Sequence, residues 1–164
     1  MSATVLPQRH DRSTITIDRD VDVVVKRFRT FEAFEREVRA YRALPWACPP
    51  LLDLGWKRIT LPNLTTAAED PHWRPISETR NLLERIHSAG WHHRDVHAKN
   101  LVRMPDGSPR LIDWETSIRN PDAPSYDLRG PAGSGIPKPA EHAGYSAQWW
   151  GGATKFSLAR WWNL

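Results

Sequence analysis

The chain has a single cysteine, Cys48, in 164 residues. One thiol excludes an intrachain disulfide and the cysteine-rich kind of zinc site, so structural metal is not expected. Cys48 stands next to Pro49 and Pro50 and reads as an inert packed residue. Long apolar runs are also missing. Nothing approaches the roughly 18 apolar residues needed to span a bilayer, so no membrane partner is expected. The opening MSATVLPQRH lacks the positive start and apolar stretch of a secretory signal, and a cytoplasmic location is the resulting expectation. There is no internal repeat and no low-complexity tract.

What is present fits one ordinary domain, or two small lobes sharing a cleft. Hydrophobic residues make up 40% and charged residues 26%, which is a globular balance and not a disordered one. The net charge of +4 comes mostly from arginine, whose planar fork suits phosphate and carboxylate partners. The basic residues are scattered along the sequence and no nucleic-acid motif accompanies them, which argues against direct binding of nucleic acid.

STITIDRDVDVVVKRF (13–28) alternates β-branched and polar residues around an Asp-Arg-Asp turn and predicts a hairpin, with Lys26 near the end of its second strand. TFEAFEREVRAYRAL (30–44) predicts an amphipathic helix with Thr30 as N-cap and Phe34, Val38 and Tyr41 inward. Glu37 falls on or beside that inward stripe. A buried acid needs a partner, and Lys26 is the obvious one. CPPLLDLGW and KRITLPNL (48–64) read as two more short strands, and TTAAEDPHWRP (65–75) as a connector. PISETRNLLERIHSAG (75–90) predicts a helix that starts at Pro75, buries Leu83 and Ile86, and stops at Gly90. Beyond it, LVRM and RLIDW flank PDGSP, an Asp-Gly hairpin turn that brings Asn100 and Asp113 side by side.

HHRDVHAKN (92–100) packs three histidines, an Arg-Asp pair, a lysine and an asparagine into nine positions. The histidine spacing matches no zinc signature well, so His93 is read as a buried structural residue and His92 as a surface one. Asp95 and Asn100 stand five residues apart, and Asp113 follows Asp95 by eighteen. Transfer of a phosphoryl group from ATP needs a carboxylate at the acceptor hydroxyl, oxygen ligands for magnesium and a cation on the phosphates. The sequence holds a candidate for each. Singly the motifs are weak: Asp113 as a hairpin cap, Asn100 as a turn residue and Lys26–Glu37 as a surface ion pair are the plain readings. In this order and context they reinforce one another.

Together they resemble the protein-kinase-like superfamily over roughly residues 13–119. VVVKRF is similar to its strand with the phosphate-binding lysine, FEREVRAYRAL to its first helix, HRDVHAKN to its catalytic loop and IDWE to its metal-binding motif. The resemblance implies a two-lobed α+β fold: a small antiparallel-sheet lobe with one helix over 1–64, and a truncated helical lobe over 65–164. It implies ATP and Mg2+ as nucleotide and cofactor. Lys26 would contact the α- and β-phosphates and pair with Glu37, and Asp95 would orient the acceptor hydroxyl. Asn100 and Asp113 would hold the metal, while His93 and Arg94 would shape the loop.

Several features depart from that pattern. No glycine-rich loop precedes Lys26; LPQRHDRST stands there, so cover for the phosphates would come from Arg9, His10, Arg12 or Ser13, or be absent. His97, where serine/threonine kinases usually carry lysine, and DWE are closer to aminoglycoside and choline phosphotransferases, which makes Glu115 a further metal candidate. Arg94 points back to protein kinases. A protein serine or threonine is therefore the first acceptor, and an aminoglycoside, sugar or lipid head group the alternative. A pseudokinase binding module is the third reading: the missing loop favours it, and the full set of Lys26, Glu37, Asp95, Asn100 and Asp113 argues against it. The short stretch after Glu115 leaves room for a protein partner to complete the second lobe. There Asp127 is a candidate brace for the catalytic loop, and the tryptophan-rich QWWGGATKFSLARWWNL is read as core in preference to an exposed patch.

Overall fold

The computed structural model describes residues 3–6 and 13–121. The fold is α+β, with a small antiparallel sheet and, among the described residues, two α-helices. The sheet has strands β1 (Ala3–Leu6), β2 (Ser13–Asp18), β3 (Val23–Phe28), β4 (Asp53–Gly55) and β5 (Arg58–Pro62), in the order β1-β2-β3-β5-β4. The hairpin expected over 13–28 is β2–β3, in a register that sets Ile15 opposite Lys26. Strand β5 lies on the other side of β3 and sets Ile59 opposite Lys26. Partners directly across a ladder share a face, so Lys26 stands on the same side of the sheet as Ile59, which is fully buried. Strand β1, for which the sequence carried no signal, extends the sheet beyond β2.

Helix α1 (Phe31–Ala43) begins as expected at Thr30, whose side-chain oxygen accepts from the Ala33 amide. Glu32 in the first turn and Arg42 in the last complement the helix dipole. The inward face carries Ala33, Glu37, Val38, Ala40 and Tyr41. Glu37 is therefore a carboxylate on a face that is otherwise mostly apolar. Helix α2 (Ile76–Ser88) follows Pro75 and buries Thr79, Leu82, Leu83 and Ile86. Its exit is Gly90, whose φ of 78° is open to glycine at no steric cost.

Two short strand pairings then order the described residues after α2. Strand β6 (Trp91–His92) pairs with β9 (Ile118–Arg119), and β7 (Leu101–Arg103) pairs with β8 (Pro109–Leu111) around the Asp-Gly turn. The connector 65–75 does more than link: Thr66 bridges Val102, Ala67 donates to the Leu101 carbonyl, and Arg103 donates to that of Thr65. Leu111 in turn donates to the Ala47 carbonyl just after α1, which ties the β7–β8 hairpin back toward the sheet. One core cluster runs through Leu44, Ile59, Leu83, Ile86, Leu101, Leu111 and Trp114.

The structure corrects the reading of His92 as a surface residue. Its ring is 1% exposed, stacks on His87 at 4.9 Å, and has Nε2 3.0 Å from the Asn120 carbonyl. Cys48 is buried as expected, and burial, with the Glu37 charge nearby, pushes its thiol well above the ordinary range. An un-ionised thiol is a poor nucleophile. The expectations for Arg9, His10, Arg12, Asp127 and the tryptophan-rich tail lie outside the described residues.

Two glycines with positive φ make a paired test. A Cβ on Gly90 would come within 3.2 Å of Pro121 Cβ, whereas one on Gly107 would meet nothing within 4 Å. Gly107→Ala should cost about 1–2 kcal/mol for its left-handed backbone alone. Gly90→Ala should cost more. Equal losses in urea unfolding would contradict the packing of Gly90 on Pro121.

Candidate active site

Lys26 is 5% exposed, and its ammonium reaches three carboxylates from two other parts of the chain. Nζ donates to Glu37 Oε2 at 2.7 Å and to Asp113 Oδ1 at 2.6 Å, and lies 3.5 Å from Glu115 Oε2. The pairing of Lys26 with Glu37 follows from the helical phase of α1. The direct contact with Asp113 does not, because 87 residues separate the two. The Lys26 ammonium also lies 4.9 Å from the centre of the Phe28 ring, on the cation-attracting face.

The left-handed conformation of Asp113 (φ 66°, ψ 60°) makes this convergence possible. Aspartate tolerates that region better than most side chains. Immediately after it comes a 3-10 turn, Trp114–Thr116, so Asp113 and Glu115 fall on either side of the fully buried Trp114. The indole Nε1 donates to the Leu111 carbonyl at 2.9 Å, and the ring packs edge-on against His93 with centroids 4.6 Å apart. Thr116 Oγ1 donates to the His93 carbonyl at 3.0 Å. Trp114 is the residue whose part in the site the sequence reading missed. Its position between two acids in IDWE was the available signal.

A second group forms around Asp95. Asn100 Nδ2 donates to the Asp95 carbonyl at 2.9 Å and to Asp95 Oδ2 at 3.2 Å. His97 Nε2 lies 3.5 Å from Asp95 Oδ1 and 3.2 Å from Asn100 Nδ2. His93 joins the two groups. Its Nδ1 accepts from the Asp95 amide at 3.3 Å, which leaves the proton on Nε2, 2.9 Å from the Ile112 carbonyl. With both ring nitrogens engaged, His93 is a structural brace and not a metal ligand. Asn100 and Asp113 approach as expected through the hairpin base, where the Ile112 amide donates to the Asn100 carbonyl at 2.9 Å. Arg94, half-buried, turns the chain between His93 and Asp95 with a φ of 71°.

The electrostatics follow from crowding. Burial alone would lower the Lys26 ammonium, but Asp113, Glu37 and Glu115 outweigh it and hold the group above its ordinary value. Burial works against the Asp113 carboxylate as well. The Lys26 charge and hydrogen bond, with His93 and His97 behind them, nevertheless keep it below the usual range. Glu37 goes the other way: burial raises it, Lys26 pulls it down, Asp113 and Glu115 push it up, and the balance leaves it at about 8. Three acids around one ammonium carry surplus negative charge, and the most deeply buried acid keeps a proton.

The donor set suits a hard divalent cation. One oxygen from each of Glu37, Asp113 and Glu115 lies within 4.8 Å of the others, and Glu37 Oε1 is buried without a hydrogen-bond partner. Asn100 has turned its amide nitrogen to Asp95, so its amide oxygen is the atom left for a metal. No protein-family model matches the chain, and none of the curated proteins matches it in sequence.

The raised Glu37 carries a signed pH prediction. Its folded pKa lies above that of an unfolded glutamate, so its contribution to stability is full below about pH 4.5 and is lost as pH rises through about 8. Comparing wild type with Glu37→Gln in urea unfolding from pH 5 to 8 isolates that contribution. Wild type should lose stability relative to the variant as pH rises. A difference that does not change with pH would refute the assignment.

Proposed function

We propose that the chain is a magnesium-dependent phosphotransferase of the protein-kinase-like class, which moves the γ-phosphate of ATP to a hydroxyl acceptor. The observation that carries this reading is the triple contact of Lys26, a buried strand lysine held by Glu37 of α1 and by Asp113 and Glu115 of the loop after β8. A lysine used only for packing has no need of three carboxylates. One that must be held extended and charged at a phosphate site does. On this reading the sheet with α1 (1–64) forms the small lobe and residues 65–164 an abbreviated second lobe, with the site between them.

Lys26 would place its charge against the nucleotide phosphates, with Glu37 fixing the reach of its side chain. Asp113, whose side chain is 37% exposed, is the acid of the cluster that a ligand can approach. Bound magnesium would neutralise charge on the β- and γ-phosphates, held by Asp113, Glu115 and Asn100. Asp95, fixed by Asn100, would accept the proton of the acceptor hydroxyl as its oxygen bonds to the γ-phosphorus and the bond to the bridging oxygen of ADP breaks. Arg94 favours a protein serine or threonine as acceptor. A small hydroxyl compound is the second reading, favoured by Glu115 entering the cluster and by His97 standing beside Asp95.

The purified chain should transfer label from γ-labelled ATP in magnesium, and EDTA should abolish transfer. Asp95→Asn should lower the rate by about 10²–10⁴-fold, the range for losing a general base, while ATP with magnesium still raises the melting temperature. Asp113→Asn should lose both transfer and that stabilisation. Normal turnover in Asp113→Asn would defeat the metal assignment. Stabilisation by ATP with magnesium, without transfer to any serine peptide or small hydroxyl compound, would turn the reading to a pseudokinase.

A further inference from the structure

Resting on the phosphotransfer reading, we propose that His97 is a positioning residue for the acceptor, whose Nε2–H fixes the Asp95 carboxylate in the orientation that meets the incoming hydroxyl. The ring itself is pinned. His97 opens a turn closed by Asn100 N–H donating to the His97 carbonyl at 2.9 Å, and Ala68 N–H donates to the Ala98 carbonyl inside that turn at 3.1 Å. Within the turn the Lys99 amide donates to His97 Nδ1 at 3.2 Å. A ring nitrogen that accepts carries no proton, so in the neutral ring the proton lies on Nε2. That nitrogen lies 3.2 Å from Asn100 Nδ2, whose two hydrogens go to the Asp95 carbonyl and Oδ2, and 3.5 Å from Asp95 Oδ1, which is the acceptor left for the Nε2 proton.

The two oxygens of Asp95 thus face two different side chains, Oδ2 taking the Asn100 amide at 3.2 Å and Oδ1 facing His97. With Asn100 alone the carboxylate has one anchor and can swing about it. A second donor on the other oxygen removes that freedom and leaves the outer lone pairs as the direction of approach. Both side chains are mostly covered, at 15% exposed for His97 and 22% for Asp95, so the exposed part of the carboxylate is small and directed. Hydrogen bonds of this kind are commonly long before substrate binds and shorten in the complex. Misplacement of a reacting group by about 1 Å costs on the order of 10²-fold in rate.

The tautomer selects the variants. A glutamine amide nitrogen reaches the place of Nε2, whereas an asparagine amide nitrogen reaches only that of Nδ1. In the full chain, with γ-labelled ATP and a serine peptide or small hydroxyl acceptor, His97→Leu and His97→Asn should lower kcat by roughly 10–100-fold. KM for ATP and its stabilisation of the fold with magnesium should stay as in wild type. His97→Gln should recover most of kcat. In nitrogen-15 spectra of the free protein, His97 should show the Nε2–H tautomer, with its Nε2 resonance moving in Asp95→Asn. An Nδ1–H tautomer, unchanged kcat in all three variants, or equal kcat losses in the Asn and Gln variants matched by equal losses of melting temperature would overturn the role. A wild-type chain that transfers no phosphate would instead sink the phosphotransfer reading, and the orienting role with it.

Discussion

A buried ammonium is the constraint on which the rest of this structure depends. Lys26 stands on the covered side of the sheet, where an unpaired charge would cost several kcal/mol. It is tolerated because acids arrive from two directions, Glu37 from α1 and Asp113 with Glu115 from the loop after β8. Each of these elements is thereby fixed relative to the sheet. A rotation of α1 by one residue, about 100°, would take Glu37 off the inward face and leave Lys26 with the loop acids alone. A loop without the left-handed turn at Asp113 would not bring both acids to one ammonium. Surplus negative charge is the result, and Glu37, with its raised pKa, absorbs it by keeping a proton.

The loop that supplies two of the acids is held from behind by aromatic packing. Trp114 fills the core between them and His93 packs against its edge. His93 then bonds both the Asp95 amide and the Ile112 carbonyl, so one ring sets the spacing between the two polar groups of the site. Both ring nitrogens of the brace are occupied, so the ring is held in one orientation. The small pairing β6–β9 and the stacked His87 and His92 continue this packing on the far side of the loop.

Local rules made part of this legible in the sequence. Alternation gave the β2–β3 hairpin, a threonine cap and helical spacing gave α1 and the inward phase of Glu37, and Asp-Gly between prolines gave β7–β8. The rest depends on distance along the chain. Strands of two residues such as β6 and β9 are too short to carry a period, so their pairing left no trace. His92 looked like a surface residue because its neighbours in sequence are polar. The groups that bury it, His87 and Asn120, come from a helix and from a segment 28 residues onward. The Lys26–Asp113 contact spans too much sequence for any window to show.

The two polar groups differ in a way that separates their chemistry. Around Lys26 the partners are the Asp113 and Glu115 carboxylates and the raised Glu37 carboxyl in a covered site, so on the proposed reading a ligand that brings phosphate would take Lys26 partly from Asp113, and a cation would relieve the acids. Around Asp95 the partners are an amide and an imidazole ring, one facing each carboxylate oxygen. On the proposed reading, one group exchanges partners and the other holds direction. Charge exchange suits the recognition of a highly charged nucleotide, and held direction suits the removal of one proton. That division is what joins the lysine cluster and the HRDVHAKN turn into a single reading, although neither would carry it alone.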